Sequence, residues 1–434
     1  ILSFMKKIFI VLISTFVFFS ACKEHAEIPV AEVLNTAGIG AVGPYLTKDN
    51  KGNPVLCWTE QDSKDSLYRL RYAVYSEQQG KFGASVTVPA SAGSSIPAES
   101  MGKIAFKADG TIMAVFSKRF PKEKNPYAGA IYYSMSTDNG KNWSKEAYLH
   151  SDTSHSYGRS FFDLATLKDG EVASIWLDGR FGKSIKGSAL FFSKTEKGKG
   201  FGLDTCLDKG TCECCRTDIL SDSAGRIHLA YRSIMFPSAL SGKQVRDMAY
   251  KLSTDNGKTF SDAKTISKDN WEIEGCPHSG PSLAVLNNTV NAVWFTAGGN
   301  PGLYYTSSVI GGDFQTRNLI TATGRHPQTL SLPGGKLAMV CEEPVDAPAE
   351  EPMKMDHSKH EGMSMGHMHM MPASTAKIVL SVLKDGNVEQ TIEVTDGKQA
   401  DHHAVLISSS KGILLAWIRE ENGRSKIYYS KLHL

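Results

Sequence analysis

Ser136-Thr-Asp138-Asn-Gly140-Lys-Asn-Trp143 (STDNGKNW) and Ser253-Thr-Asp255-Asn-Gly257-Lys-Thr-Phe260 (STDNGKTF) are two copies of one turn. The aspartate in the pattern S-x-D-x-G-x-x-[WF] can accept backbone N–H bonds within a tight turn. The glycine permits positive φ, and the final aromatic packs between sheets. Weaker relatives stand at Ser76 (SEQQGKF), Ser193 (SKTEKGKGF) and Ser307 (SSVIGGDF), so the five serines are spaced by 60, 57, 60 and 54 residues. Ser381 follows after 74, which becomes 54 once a twenty-residue Met/His tract is set aside, and Ser430 follows after 49.

A second register agrees. Each unit has an apolar run ending on a bulky residue: Trp58, Phe116, Trp176, Tyr231, Trp294, Cys341 and Trp417. Short β-rich runs alternate with Gly, Asn, Asp and Lys turns, and helical periodicity is nearly absent, the pattern of an all-β chain. Strands repeated radially hide their edges by closing into a ring. The expected fold is a β-propeller of four-stranded antiparallel blades, seven by this count, or six if one weak unit is an insertion. The last unit has three strands before the sequence ends, so Ala26–Asn35 is expected to add its outer strand.

The repeated turn resembles the Asp-box of sialidase-like (BNR-repeat) β-propellers, a likeness covering most of residues 40–434. The resemblance implies the fold and places these turns away from the catalytic face. It also implies a catalytic set of an arginine triad, a Tyr–Glu nucleophile pair and an aspartate acid/base. That set is not recognisable: the R-I-P motif is absent, its nearest text being Ser95-Ile96-Pro97, and although Arg159 and Arg216 sit where channel-facing arginines could lie, the third arginine and the Tyr–Glu pair cannot be assigned. Fold does not carry function across. P-loop and H-E-x-x-H motifs are missing.

Export is read at the N-terminus. Met5-Lys6-Lys7, the apolar run Ile8–Phe19 and Ser20-Ala21-Cys22 make a secretory signal that is too short to span a bilayer comfortably. Cys22 resembles the lipidated cysteine of a bacterial lipobox. The expected organisation is a signal and lipobox over 1–22, a tether and closing strand over 23–40, and the propeller over 41–434 with an insertion at 345–374. The expected location is lipid-anchored in the bacterial envelope, at the outer membrane, facing periplasm or cell surface. A net charge of +3 over 434 residues, without a basic stripe, makes nucleic acid a poor partner.

The insertion holds MKMDHSKHEGMSMGHMHMMP. It contains Met353, Met355, His357, His360, Met363, Met365, His367, Met368, His369, Met370 and Met371. Thioether and imidazole favour Cu(I), and less strongly Ag(I) or Cu(II), over hard cations. Methionine is normally spent on filling cores, so copper binding is expected, with the tract dispensable for folding.

Residues just ahead of each unit's first strand should ring one mouth of the propeller. They are rich in Cys, His and Arg: Glu99, His155, Arg159, Cys212, Cys214, Cys215, Arg216, Cys276, His278, Arg325, His326, His402 and His403. Cys and neutral His suit copper or zinc. Eight cysteines in an exported chain also call for disulfides. Cys57 and Cys341 lie in apolar runs and are expected to be buried thiols. Cys206, Cys212, Cys214, Cys215 and Cys276 form an odd-numbered cluster. Either one thiol stays free, or one disulfide forms and three sulfurs remain for metal. Cys206–Cys212, Cys276 with Cys214 or Cys215, and Cys214–Cys215 are the pairings considered. The expectation is an envelope lipoprotein that buffers, sequesters or delivers copper through the tract and a Cys/His mouth site. The alternatives are a sialidase-like glycan hydrolase or metal-dependent oxidoreductase, or a scaffold for another envelope protein.

Overall fold

The computed structural model describes residues 29–34, 40–97, 99–235, 244–273, 277–345 and 375–433. The signal, Cys22, the Met/His tract and Cys276 lie outside them. The described chain is all-β, built from antiparallel meanders with three short 3-10 turns and no α-helix.

Each apolar run ending on a bulky residue is the second strand of a meander, and it is buried because both of its faces meet other sheets. Trp176, Trp294 and Trp417 have no solvent exposure. Two sheets have four strands, one has five and two have eight. The eight-stranded sheets are pairs of meanders joined by single residue pairs, Thr211 with Ser233 and Ala376 with Ala400. First strands neighbour one another in chain order: Ala41–Lys48, Lys103–Phe106, Arg159–Thr166, Asp218–Ser221, Ser282–Leu286, Arg325–Leu332 and Ala400–Ser409. The last of these returns to the first.

The two STDNG turns join third to fourth strands. In the first, Asp138 accepts from Ser136 Oγ at 2.9 Å and from Asn142 N–H at 2.8 Å, while Gly140 N–H donates to Ser136 Oγ at 2.9 Å. Gly140 has φ +83°, and a Cβ there would fall 2.3 Å from Tyr72 Oη. Trp143 meets Tyr72 of the preceding sheet edge-on, with centroids 6.3 Å apart, and Phe260 repeats the contact with Phe192 at 5.0 Å.

Another node recurs without a motif. Second-strand tryptophans donate their indole N–H to buried carboxylates: Trp58 to Glu60 at 2.7 Å, Trp176 to Asp178 at 3.1 Å, Trp294 to Asp269 at 2.7 Å and Trp417 to Asp401 at 3.0 Å. An arginine neutralises each carboxylate: Arg71, Arg180, Arg317 and Arg419 respectively.

Glu32–Val33 pairs with Tyr429 and Tyr428 of the last strand, Arg424–Leu432. Leu34 N–H donates to Ile427 O and Ser430 Oγ to Val30 O, at 2.8 and 2.9 Å. Truncation to residue 36 is expected to lower the melting temperature strongly by stripping this edge of its partner. Truncation to residue 25 is expected to be nearly silent. Calorimetry on both truncations decides, and equal melting temperatures would rule out a closing role for this strand.

Candidate functional site

First strands do not run evenly into the mouth. Their pairing slips by a residue between Val42 and Tyr45, Ser160 and Asp163, Arg325 and Gln328, and His402 and Val405. At these bulges Gly43, Phe161, His326 and His403 take φ of +64°, +54°, +49° and +53°, and His278, ahead of Ser282–Leu286, takes +48°. Left-handed backbone is uncommon outside glycine, and each such residue stores about 1–3 kcal/mol. A bulge re-aims the side chain it carries. Three of these positions hold histidine.

His326 and His403 turn toward Glu99, a loop residue 4% exposed. One donor atom from each of the three lies within 4.8 Å of the others. His403 Nε2 is 3.1 Å and His326 Nε2 3.9 Å from Glu99 Oε1, and the rings stack with centroids 4.7 Å apart. The Nδ1 atoms face away: that of His326 meets Glu342 Oε1 at 2.6 Å, and that of His403 meets His402 Nδ1 at 2.6 Å. Glu342 Oε2 also accepts from the His403 backbone N–H at 2.7 Å. Glu99 is also paired electrostatically with Arg216 Nη1 at 3.5 Å.

Charge follows this geometry. Burial opposes ionisation of Glu99, but Arg216, His326 and His403 outweigh it and hold the carboxyl well below its ordinary range. Burial likewise opposes ionisation of Glu342, and His326 above all reverses it. Burial would lower His326, yet Glu342 and Glu99 push it up to about 9. Burial leaves His403 lowered.

The residues singled out from sequence divide into separate groups. Cys212, Cys214 and Cys215 cluster between Thr205–Thr211 and Asp218–Ser221, with donor atoms within 4.8 Å of one another but apart from the Glu99 group. Cys214 is disulfide-bonded, so its sulfur is no thiolate ligand in this state. Cys206, Cys212 and Cys215 are free, as are buried Cys57 and Cys341, so the Cys206–Cys212 and Cys214–Cys215 pairings are not formed. Cys206 instead pairs across its strand with Phe191 and packs against the core around Trp176. His278 is close enough to Glu99, Cys212 and His326 to feel their charges, and partial withdrawal of its ring from water is the larger effect and lowers it. His155 is held by Tyr132 and Tyr148 hydroxyls at 3.1 and 2.9 Å and stacks on Phe120. Arg159 is buried against Asp178 and Asp152. Neither serves the mouth.

Sequence reasoning passed over Glu342 and the interior of the ring. A cavity of about 160 Å³ lies among the first strands, lined by Tyr45, Lys103, Asp163, Arg216, Asp218 and Gln328, among others. Lys103 pairs with Asp163 at 3.4 Å. Burial, then the neighbouring Asp163, pushes the Asp218 carboxyl up to about 7. The available signal was charged residues inside apolar first strands.

No protein-family model matches this chain, and no curated protein matches it. Among solved structures, the polysaccharide lyase Uly1 aligns with a TM-score of 0.54 and 11% identity, over 96% of this chain and 94% of the lyase. A protein of unknown function from Dyadobacter fermentans DSM 18053 aligns with a TM-score of 0.48 and 15% identity, over 77% of this chain and 94% of its own. Trypanosoma rangeli sialidase aligns with a TM-score of 0.44 and 11% identity, over 82% of this chain and 57% of its own. At these identities the Uly1 likeness shows the fold alone.

Asp218 provides a pH test. The folded state keeps its proton up to about pH 7, whereas the unfolded chain releases it near 3.9. The resulting stabilisation is complete below the unfolded value and is lost as pH rises through the folded one. Asp218→Asn keeps an acceptor for the Leu283 N–H and is expected to raise the melting temperature at pH 8 while flattening its fall from pH 6. Parallel melting curves for wild type and variant would contradict this assignment.

Proposed function

We propose that this protein is a seven-bladed propeller of the bacterial envelope that binds copper, or a similar transition metal, at its mouth through Glu99, His326 and His403. The observation that carries this reading is the Glu99 carboxylate: 4% exposed and faced by two imidazole Nε2 atoms, His403's at 3.1 Å and His326's at 3.9 Å. Each imidazole has its other nitrogen occupied, by Glu342 or His402, as metal-ligating histidines are oriented. A mixed imidazole and carboxylate set suits copper, zinc or iron better than calcium or magnesium. Metal would take the place of the His326 proton, so binding weakens as pH falls.

The Met/His tract supplies a softer capture arm for Cu(I). Its stems support a link to the mouth. Glu342 stands two residues before Pro344, which pairs with Ala376, and Ala376 pairs in turn with Ala400, three residues before His403. Lipid on Cys22 would tether the body to the membrane, and an envelope protein would take or deliver the ion.

A second reading, a glycan-active enzyme, rests on Asp163 and Asp218. A carboxyl pair with one member protonated near neutrality is the usual equipment for general acid–base work, and here it adjoins a cavity of about 160 Å³.

Titration of metal-free protein with Cu(II) and Zn(II), read by competition and metal analysis, tests the first reading. One tight site per chain is expected. Glu99→Gln and His403→Ala should abolish it, and Glu342→Gln should weaken it about 10–100-fold. Deleting residues 345–374 should leave this site and the melting temperature nearly unchanged while reducing the number of Cu(I) ions bound. Equal metal content and affinity in wild type and Glu99→Gln would refute the mouth site. Sialoside or acidic-polysaccharide turnover by metal-free protein, lost in Asp218→Asn, would favour the second reading.

A further inference from the structure

We propose that Cys212, Cys214 and Cys215 form an internal disulfide relay, in which the Cys212/Cys215 dithiol hands two electrons to the disulfide that Cys214 carries. The proposal is independent of the metal reading. Its basis is the placement of three sulfurs in one buried loop. Cys214 is disulfide-bonded, while Cys212 and Cys215 are free thiols. Cys212 Sγ lies 3.7 Å from Cys214 Sγ on one side and 3.5 Å from Cys215 Sγ on the other. Cys212-Glu-Cys-Cys215 also has the C-x-x-C spacing of dithiol redox pairs. Cys212, Cys214 and Cys215 are 0%, 6% and 1% exposed, so solvent thiols are kept from the inner two while exchange among the three remains geometrically close.

The loop's surroundings differentiate the sulfurs. Arg246 Nη1 donates to Cys212 Sγ at 3.4 Å. The Cys215 S–H, then, against burial, Arg246 and Arg232, hold the Cys212 thiol well below its ordinary range. Burial and the neighbouring Cys212 push Cys215 up. Cys212 is therefore the nucleophile and Cys215 the resolving thiol, since the thiolate is the attacking species.

Two exchanges complete the relay. In the first, Cys212 gives up its proton and a lone pair on its sulfur forms a bond to Cys214 Sγ as the existing Cys214 disulfide breaks. The departing electron pair stays on the sulfur formerly bonded to Cys214, which takes up a proton. In the second, Cys215 loses its proton and attacks Cys212 Sγ, and Cys214 leaves and is protonated. One dithiol is oxidised and one disulfide reduced, two protons move with the two electrons, and no outside oxidant is consumed.

Disulfide mapping of the intact full chain tests this. Gly210–Arg216 is a single tryptic peptide holding all three cysteines. Since Cys212 and Cys215 are free, the resting bond must cross-link this peptide to another. Oxidised protein would be held at pH 8, quenched with acid, alkylated and digested without reduction. The relay predicts a second form of Gly210–Arg216, free of the cross-link, with an internal disulfide and one alkylated cysteine. Cys212→Ser should abolish that form, and Cys215→Ser should restrict it to the Cys212–Cys214 isomer. Wild-type protein yielding only the cross-linked peptide, with Cys212 and Cys215 both alkylated, overturns the proposal and needs no variant. So does an internal disulfide that persists in Cys212→Ser.

Discussion

A carboxylate withdrawn from water and shared between an indole N–H and a guanidinium is the interaction on which the ring depends. Such a charge is costly to bury alone and tolerable only when paired and hydrogen-bonded. Asp178, Asp269 and Asp401 meet both conditions with their tryptophan and arginine partners. The guanidiniums of Arg180, Arg317 and Arg419 in turn lie over Phe191, Tyr304 and Tyr428, at 4.0, 4.1 and 4.5 Å from the ring centroids. Each node thus ties neighbouring strands together by directed bonds, where apolar packing alone would leave register to side-chain shape.

The node in the last meander also sets the mouth. Asp401 is fully buried and accepts from Trp417 Nε1 and from two Arg419 nitrogens. His402 and His403 follow it directly, and the bulge beginning there reverses their aim. The left-handed backbone of His403 is therefore held from one side by Asp401 and from the other by Glu342, which accepts its N–H. Local strain is affordable because both flanks are pinned.

The fold was largely legible because its signals are local. An aspartate, a glycine and an aromatic within eight residues specify a turn, and the bulky residue closing each second strand marks a core position. His278, His326 and His403 were visible as candidates for the same reason, each preceding or opening a first strand. Glu99 stood among the mouth residues as well, but its meeting with two of these histidines was not legible, and Glu342 was missed. Glu99 and His403 stand 304 residues apart in sequence and meet only because the sheets curve into a ring. His155 and Arg159 occupy similar sequence positions to the mouth residues, but Tyr132, Tyr148, Asp152 and Asp178 were already placed to capture them. The cysteine cluster could be counted but not paired, since pairing depends on which sulfurs the strands bring within reach.

The rung between Pro344 and Ala376 has a consequence for how such a protein changes over generations. Hydrogen bonding is complete up to that rung and is extended by the Val345 N–H to Thr375 O bond at 2.9 Å. Whatever chain is threaded between residues 345 and 375 begins and ends on a finished ladder. Doubling the length of such a loop costs only about 0.6 kcal/mol. The hairpin tip is therefore a graft port. Selection can lengthen, shorten or rewrite its cargo in small steps, and the β-sheet below has no means of registering the exchange.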